Sequence, residues 1–255
     1  MQLTRKEKRI RATCALAVAM SWCVAAGYSQ AGIMNYGDFD DIPPGTVMYL
    51  GVQESSGTDP LPLYGSPTVT GNLIDFEPAT FTASAEDGNS DQTDGQLNFT
   101  LMSTPGNFIT DFTLSESGRY TLFGTGTAST AVAAALSVDI DIIEIDGVSV
   151  SPLDSGYSTS FTADLVSDAG LLQAWELEVF VDLNDFLVSN DIDFDFGVTK
   201  VEVVIDNQLI GISEDLSTAF IEKKDFSIST TTAVPEPGSI ALLGLGSLYL
   251  LRRRR

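Results

Sequence analysis

From Glu86 to Gly95 the chain reads Glu-Asp-Gly-Asn-Ser-Asp-Gln-Thr-Asp-Gly, a run of oxygen donors fit for a hard cation. Asp87, Asn89 and Asp91 stand two apart, the spacing of the first three ligands of a helix-loop-helix calcium loop, and Asp94 follows. The sixth position of such a loop needs glycine and here holds Gln92. The twelfth needs a bidentate glutamate and here holds Asn98. The run is therefore no EF-hand. Two readings remain: an irregular calcium loop built from Asp87, Asn89, Asp91 and Asp94, or a solvated turn between strands.

Other carboxylates are plentiful and less pointed. Asp38, Asp40 and Asp41 precede Pro43-Pro44-Gly45 and read as a solvated entry segment. Asp139 and Asp141, and separately Asp191, Asp193 and Asp195, are spaced two apart, so on a strand each set shares one face. Such a face binds cations or hydroxyl-rich polymer, or is simply the wet side of the strand. Glycoside cleavage needs two carboxyls about 5–10 Å apart with separated pKa values. Acidic residues are too abundant here to single out a pair. Trp175, the one tryptophan outside the N-terminal segment, sits in an alternating stretch and reads as core. Lys223-Lys224, beside Asp225, reads as a basic pair satisfied by its acidic surroundings, with docking of an acidic polymer as the alternative.

What is missing excludes more. The chain has no histidine, and both cysteines, Cys14 and Cys23, lie near the N-terminus. Ser-His-Asp and Cys-His nucleophiles and His-ligated zinc, copper or iron are thereby ruled out. Between residues 32 and 233 only Arg119, Lys200, Lys223 and Lys224 are basic, while every acidic residue except Glu7 and Glu236 falls there. The body thus carries 33 acidic against 4 basic residues, a net charge of −29. Such a surface repels nucleic acid and anionic lipid.

The elements that must position these residues are strands. Gln96 to Leu101, Trp175 to Asp182 and Val201 to Asp206 alternate apolar with polar residues, the period of a half-buried strand. Further strands are expected at 46–53, 67–75, 79–84, 107–114, 119–124, 137–145, 158–166, 192–196, 208–213 and 218–228. Turns are expected at Asp87-Gly88-Asn89, Thr104-Pro105-Gly106, Glu116-Ser117-Gly118, Asp146-Gly147 and Asp206-Asn207. Helix competes only at 127–136, where strand is equally well supported, and at 183–190. The expected fold is all-β: a single antiparallel two-sheet sandwich over 32–226, with a jelly roll as one form it takes, followed by a spacer at 227–233.

Both ends read as addresses. Arg5, Lys6, Lys8, Arg9 and Arg11 precede an apolar stretch from Ala12 to Ala26, and Ser29-Gln30-Ala31 offers small residues to a signal peptidase. Residues 1–31 are thus expected to be a signal peptide cleaved after Ala31, with Ala26 as the alternative. At the other end Val234-Pro235-Glu236-Pro237 leads into an apolar run, Gly238 to Leu251, and then Arg252, Arg253, Arg254 and Arg255. At about 1.5 Å per residue that run covers roughly 21 Å of a hydrocarbon core about 30 Å thick. Arginine stems can extend it, and their charge favours the cytoplasmic side.

Residues 234–255 resemble the PEP-CTERM sorting signal of Gram-negative bacteria. The resemblance implies recognition of Pro235, Glu236 and Pro237 by exosortase and removal of the hydrophobic tail, often alongside exopolysaccharide production. It implies an inner-membrane-anchored intermediate, then a place at the cell surface or in the extracellular matrix. It assigns no activity to the body. The expectation is a noncatalytic structural or adhesive protein, possible calcium its one candidate cofactor. A calcium-assisted exopolysaccharide-binding module is the alternative, and a carboxylate-dependent glycan-active enzyme a third reading.

Overall fold

A computed structural model describes residues 32–234. The expected signal peptide and its cleavage site at Ala31 lie outside the described residues. So does the sorting segment from Pro235 to Arg255.

The described chain is all-β and antiparallel. Its strands are β1 (Gly32–Asp40), β2 (Val47–Ser56), β3 (Thr68–Thr70), β4 (Leu73–Phe76), β5 (Thr82–Glu86), β6 (Ser90–Ser103), β7 (Phe108–Gly124), β8 (Ala131–Ile145), β9 (Val148–Asp164), β10 (Gly170–Asp182), β11 (Val198–Ile212) and β12 (Ser217–Ala233). One short helix, α1 (Leu183–Ser189), follows β10 and is capped by the Asp182 carboxylate on the Asp185 N–H.

One array runs β1-β2-β6-β11-β8-β9, with β11 between β6 and β8. The other places β12 between β7 and the short strands β4 and β5, with β10 on the far side of β7 and β3 beyond β4. The single pair Val198↔Ile109 joins β11 to β7, so the ladder is continuous and nearly closed around one core. That core draws Tyr49, Leu97, Val203 and Ile205 from the first array and Phe112, Leu114, Ile221 and Phe226 from the second.

Alternation explains the strands, and turn chemistry explains their ends. Asp146 and Gly147 form a two-residue loop between β8 and β9, both with positive φ, which suits the twist of a tight hairpin. Asp87-Gly88-Asn89 and Thr104-Pro105-Gly106 likewise connect strands.

The departures are informative. Residues 227–233, expected to begin as strand and end as a spacer, are strand throughout, the last part of β12, and pair with β7, with Ile228 fully buried. Glu116-Ser117-Gly118 and Asp206-Asn207, expected as turns, lie inside β7 and β11. Residues 192–196 are loop rather than strand, and the solvated entry segment at Asp38 and Asp40 is the exposed end of a strand, β1, that was not expected. The 183–190 stretch is helical, and the alanine-rich stretch enters strand at Ala131.

Candidate functional site: a buried lysine, glutamate and asparagine

Three polar side chains occupy inward positions of otherwise apolar strand faces. In β7 Glu116 continues the inward row of Phe112 and Leu114. In β11 Asn207 stands in step with Val203, Ile205 and Leu209. In β12 Lys223 follows Ala219 and Ile221. A bulge between Lys223 and Asp225 then shifts the phase, so that Lys224 and Asp225 both face outward and Phe226 faces inward. Lys224 pairs with Glu222 at 2.6 Å on the surface.

The three residues converge. Lys223 and the Glu116 side chain are fully buried, and Lys223 Nζ lies 2.5 Å from Glu116 Oε2. The same Nζ contacts Asn207 Oδ1, donating to it. Rings close the rest of the space: Phe81, Phe226 and Tyr64 have centroids 4.6, 5.1 and 5.4 Å from Nζ. Tyr64 packs edge-on against Phe76, Phe81 and Phe226, and its hydroxyl donates to the Gly95 carbonyl at 3.1 Å.

Glycines make this closeness possible. Gly118 pairs with Lys223, and a Cβ there would collide with the Glu222 carbonyl oxygen, which instead accepts the Trp175 indole N–H at 3.1 Å. Gly95 pairs with Asn207, where a Cβ would stand 2.8 Å from the Phe81 ring.

Burial sets the protonation. It pushes the Glu116 carboxyl up from its ordinary value, against the pull of the Lys223 ammonium and its hydrogen bond. It also pushes the Lys223 amine down, against the attraction of Glu116. Both shifts favour a neutral amine beside a neutral acid. Two atoms of the group lack a hydrogen-bond partner, Glu116 Oε1 and Asn207 Nδ2, and an orphaned buried polar atom costs about 1–3 kcal/mol. A nucleophile, a carboxamide carbon and an acid–base group thus share one dry chamber.

A second buried carboxylate, Glu54, is fully engaged. It accepts from the Leu63 and Tyr64 N–H groups and from the Tyr36 hydroxyl at 2.8–3.1 Å.

The acidic loop is differently disposed. Asn89 donates to the Glu86 carbonyl, Asp91 accepts from the Ser84 and Gln92 N–H groups, and Asp94 accepts from the Thr58 hydroxyl. Asp87 is a positive-φ turn residue at 51°. Among the described residues no three carboxylates gather as a metal cluster, so the geometry lends the calcium reading no support. Asp38 and Asp41 accept from the N–H groups of Gly51 and Gly71, which gives them local structural work. Asp139 and Asp141 lie on β8 beside β11, whereas Asp191, Asp193 and Asp195 lie in the loop after α1. Of the sorting residues only Val234 is among those described, and it is exposed.

On the outside, a groove of about 630 Å³ crosses the first array, lined in part by Ser55, Gln96, Ser137, Thr159, Asp206 and Gln208. A smaller one of about 460 Å³ is lined in part by Ser115, Glu116, Ser117, Glu176, Glu178 and Asp225.

Sequence reasoning paired Lys223 and Lys224 with acidic surroundings, as their contacts to Glu116 and Glu222 bear out, but did not set Lys223 inside, and it took Glu116 and Asn207 for turn residues. The signal that would have found them is phase, because each keeps the inward period of its apolar neighbours.

Comparison with known proteins bears on the C-terminus. The PEP-CTERM protein-sorting motif matches residues 233–255. No curated protein matches the chain. Among solved structures, TmCBM61 in complex with β-1,4-galactotriose is 11% identical, covering 80% of this chain and 90% of that one at a TM-score of 0.23. The enzymatically active domain of bacteriophage CBA120 tailspike protein 4 is 10% identical, covering 80% of this chain and 20% of that one at 0.21. The infectious bursal disease virus VP2 subviral particle is 10% identical, covering 73% of this chain and 52% of that one at 0.21. Likenesses this slight carry no argument about function. Among the described residues no helix is long and apolar enough to cross a membrane, and the apolar run 238–251 lies outside them.

Proposed function

We propose that this chain is an exported, noncatalytic structural or adhesive component of the cell surface or extracellular matrix, built as a two-layer β-sandwich. The carrying observation is the sorting motif at residues 233–255, which implies exosortase processing of an extracellular protein. β12 runs to Ala233, so the folded body meets the motif with almost no intervening chain. A net charge of −29 keeps such a body soluble and apart from anionic polymers unless cations intervene. In an exosortase-bearing host, Glu236→Ala should leave the tail attached and the protein in the membrane fraction, while the wild type loses residues beyond the motif. Equal processing of both would contradict the sorting reading.

A second reading rests on the 630 Å³ groove, whose hydroxyls, amides and two aspartates, Asp94 and Asp206, suit a polyhydroxylated ligand. On an array of bacterial exopolysaccharides, wild type should bind where Gln96→Ala combined with Gln208→Ala does not. Absence of binding by the wild type would remove that reading.

A further inference from the structure

We propose that Lys223 and Asn207 become covalently joined by an amide bond between their side chains, formed within the folded core with Glu116 as the acid–base group. Four observations converge on it. Nζ of Lys223 lies against the Asn207 carboxamide and 2.5 Å from the Glu116 carboxyl. All three residues are buried, so water does not compete for the carboxamide carbon. The rings of Tyr64, Phe81 and Phe226 exclude solvent and hold the amine in place. Asn207 Nδ2, the atom the reaction would expel, has no hydrogen-bond partner.

A passive ion pair accounts for the set less well. Burying an ammonium and a carboxylate costs several kcal/mol per ion unless every donor and lone pair is met, and here Glu116 Oε1 and Asn207 Nδ2 are not. Burial instead drives the pair toward a neutral amine and a neutral acid, the forms the reaction needs.

The chemistry balances without an added reagent. Neutral Lys223 Nζ attacks Asn207 Cγ as Glu116 protonates Oδ1, giving a tetrahedral adduct. The Glu116 carboxylate takes a proton from Nζ and delivers it to Nδ2. The Cγ–Nδ2 bond breaks, ammonia leaves, and the carbonyl re-forms as its proton returns to Glu116. One C–N bond forms, one breaks, nothing is oxidised or reduced, and Glu116 is regenerated. The product amide N–H faces the Glu116 carboxyl, and the orphaned Nδ2 is gone. Because β11 and β12 belong to different arrays, the bond would staple the two through the core.

Peptide mapping of the denatured full-length chain tests this directly. The expected result is a branched peptide joining the Lys223 and Asn207 segments, about 17 Da lighter than their sum through loss of one ammonia. Recovery of both segments only as linear peptides would overturn the proposal, as would an equal loss confined to a linear asparagine peptide. Glu116→Gln keeps shape but removes the acid–base group. Its folded form, checked by circular dichroism, should show less than a tenth of the wild-type branching. Full branching in that variant would overturn the role given to Glu116. The wild-type map decides the bond itself whether or not the variant folds.

Discussion

A lysine, a glutamate and an asparagine in a β-core are costly residues, and their neighbours show how the fold accommodates them. Gly118 is the sharpest dependence. A Cβ there would strike the Glu222 carbonyl and displace the Trp175 indole that bonds to it. Gly118→Ala should therefore destabilise the domain by about 3 kcal/mol, the upper range for overpacking, read as a lower urea midpoint at unchanged slope. A cost below about 0.5 kcal/mol, the level of an ordinary surface change, would show that β7 and β12 part easily at this point. Tyr49 marks a second buried polar anchor: its hydroxyl donates to the Asn72 carbonyl at 2.7 Å, and burial pushes its pKa up to about 12.

At the scale of elements, β12 governs the second array. It pairs with β7 along most of its length and with β5 and β4 in succession on its other edge. Its final residues 227–233 carry Ile228 and Thr230 into the interior, and burying a side chain such as Ile228 contributes about 2 kcal/mol. Ending the chain after Phe226 should abolish cooperative unfolding, whereas ending it after Val234 should leave the thermal midpoint unchanged. Equal midpoints would mean that 227–233 act as the spacer first expected. Strand identity was legible wherever alternation ran unbroken, as in Trp175 to Asp182, and so were the glycine-bearing turns at 87–89 and 146–147. It failed where a polar residue faced inward. Glu116 beside Ser117-Gly118, and Asp206 beside Asn207, carry the composition of a turn, and only their phase within β7 and β11 tells otherwise. Lys223 was hidden for a further reason. The bulge after it leaves Lys224 and Asp225 both outward and breaks the period that would tie Lys223 to Phe226, and that bulge depends on pairing with β7, which local sequence does not encode. Of the acidic run only 87–89 is a turn, since Ser90 to Gly95 already belong to β6, and which of its oxygens bond to backbone is set by partners far along the chain, such as Thr58 for Asp94.

The whole molecule combines a strongly acidic surface with a core that holds no disulfide, since both cysteines precede Gly32. For a protein destined for the cell exterior, a side-chain amide would do the work that disulfides do elsewhere. The proposed bond closes a loop between residues 16 apart, for which chain entropy gives about 3 kcal/mol. Unlike a disulfide it would survive reducing conditions. The last strand, β12, ends at Ala233, where the match to the sorting motif begins. Export and sorting are the central claim, and the most direct measurement is the mass of both termini of the protein recovered from an exosortase-bearing native host. The account predicts a chain beginning at Gly32 and ending near Val234 to Pro237, found outside the inner membrane. A cytosolic chain retaining both Met1 and Arg255 would contradict it.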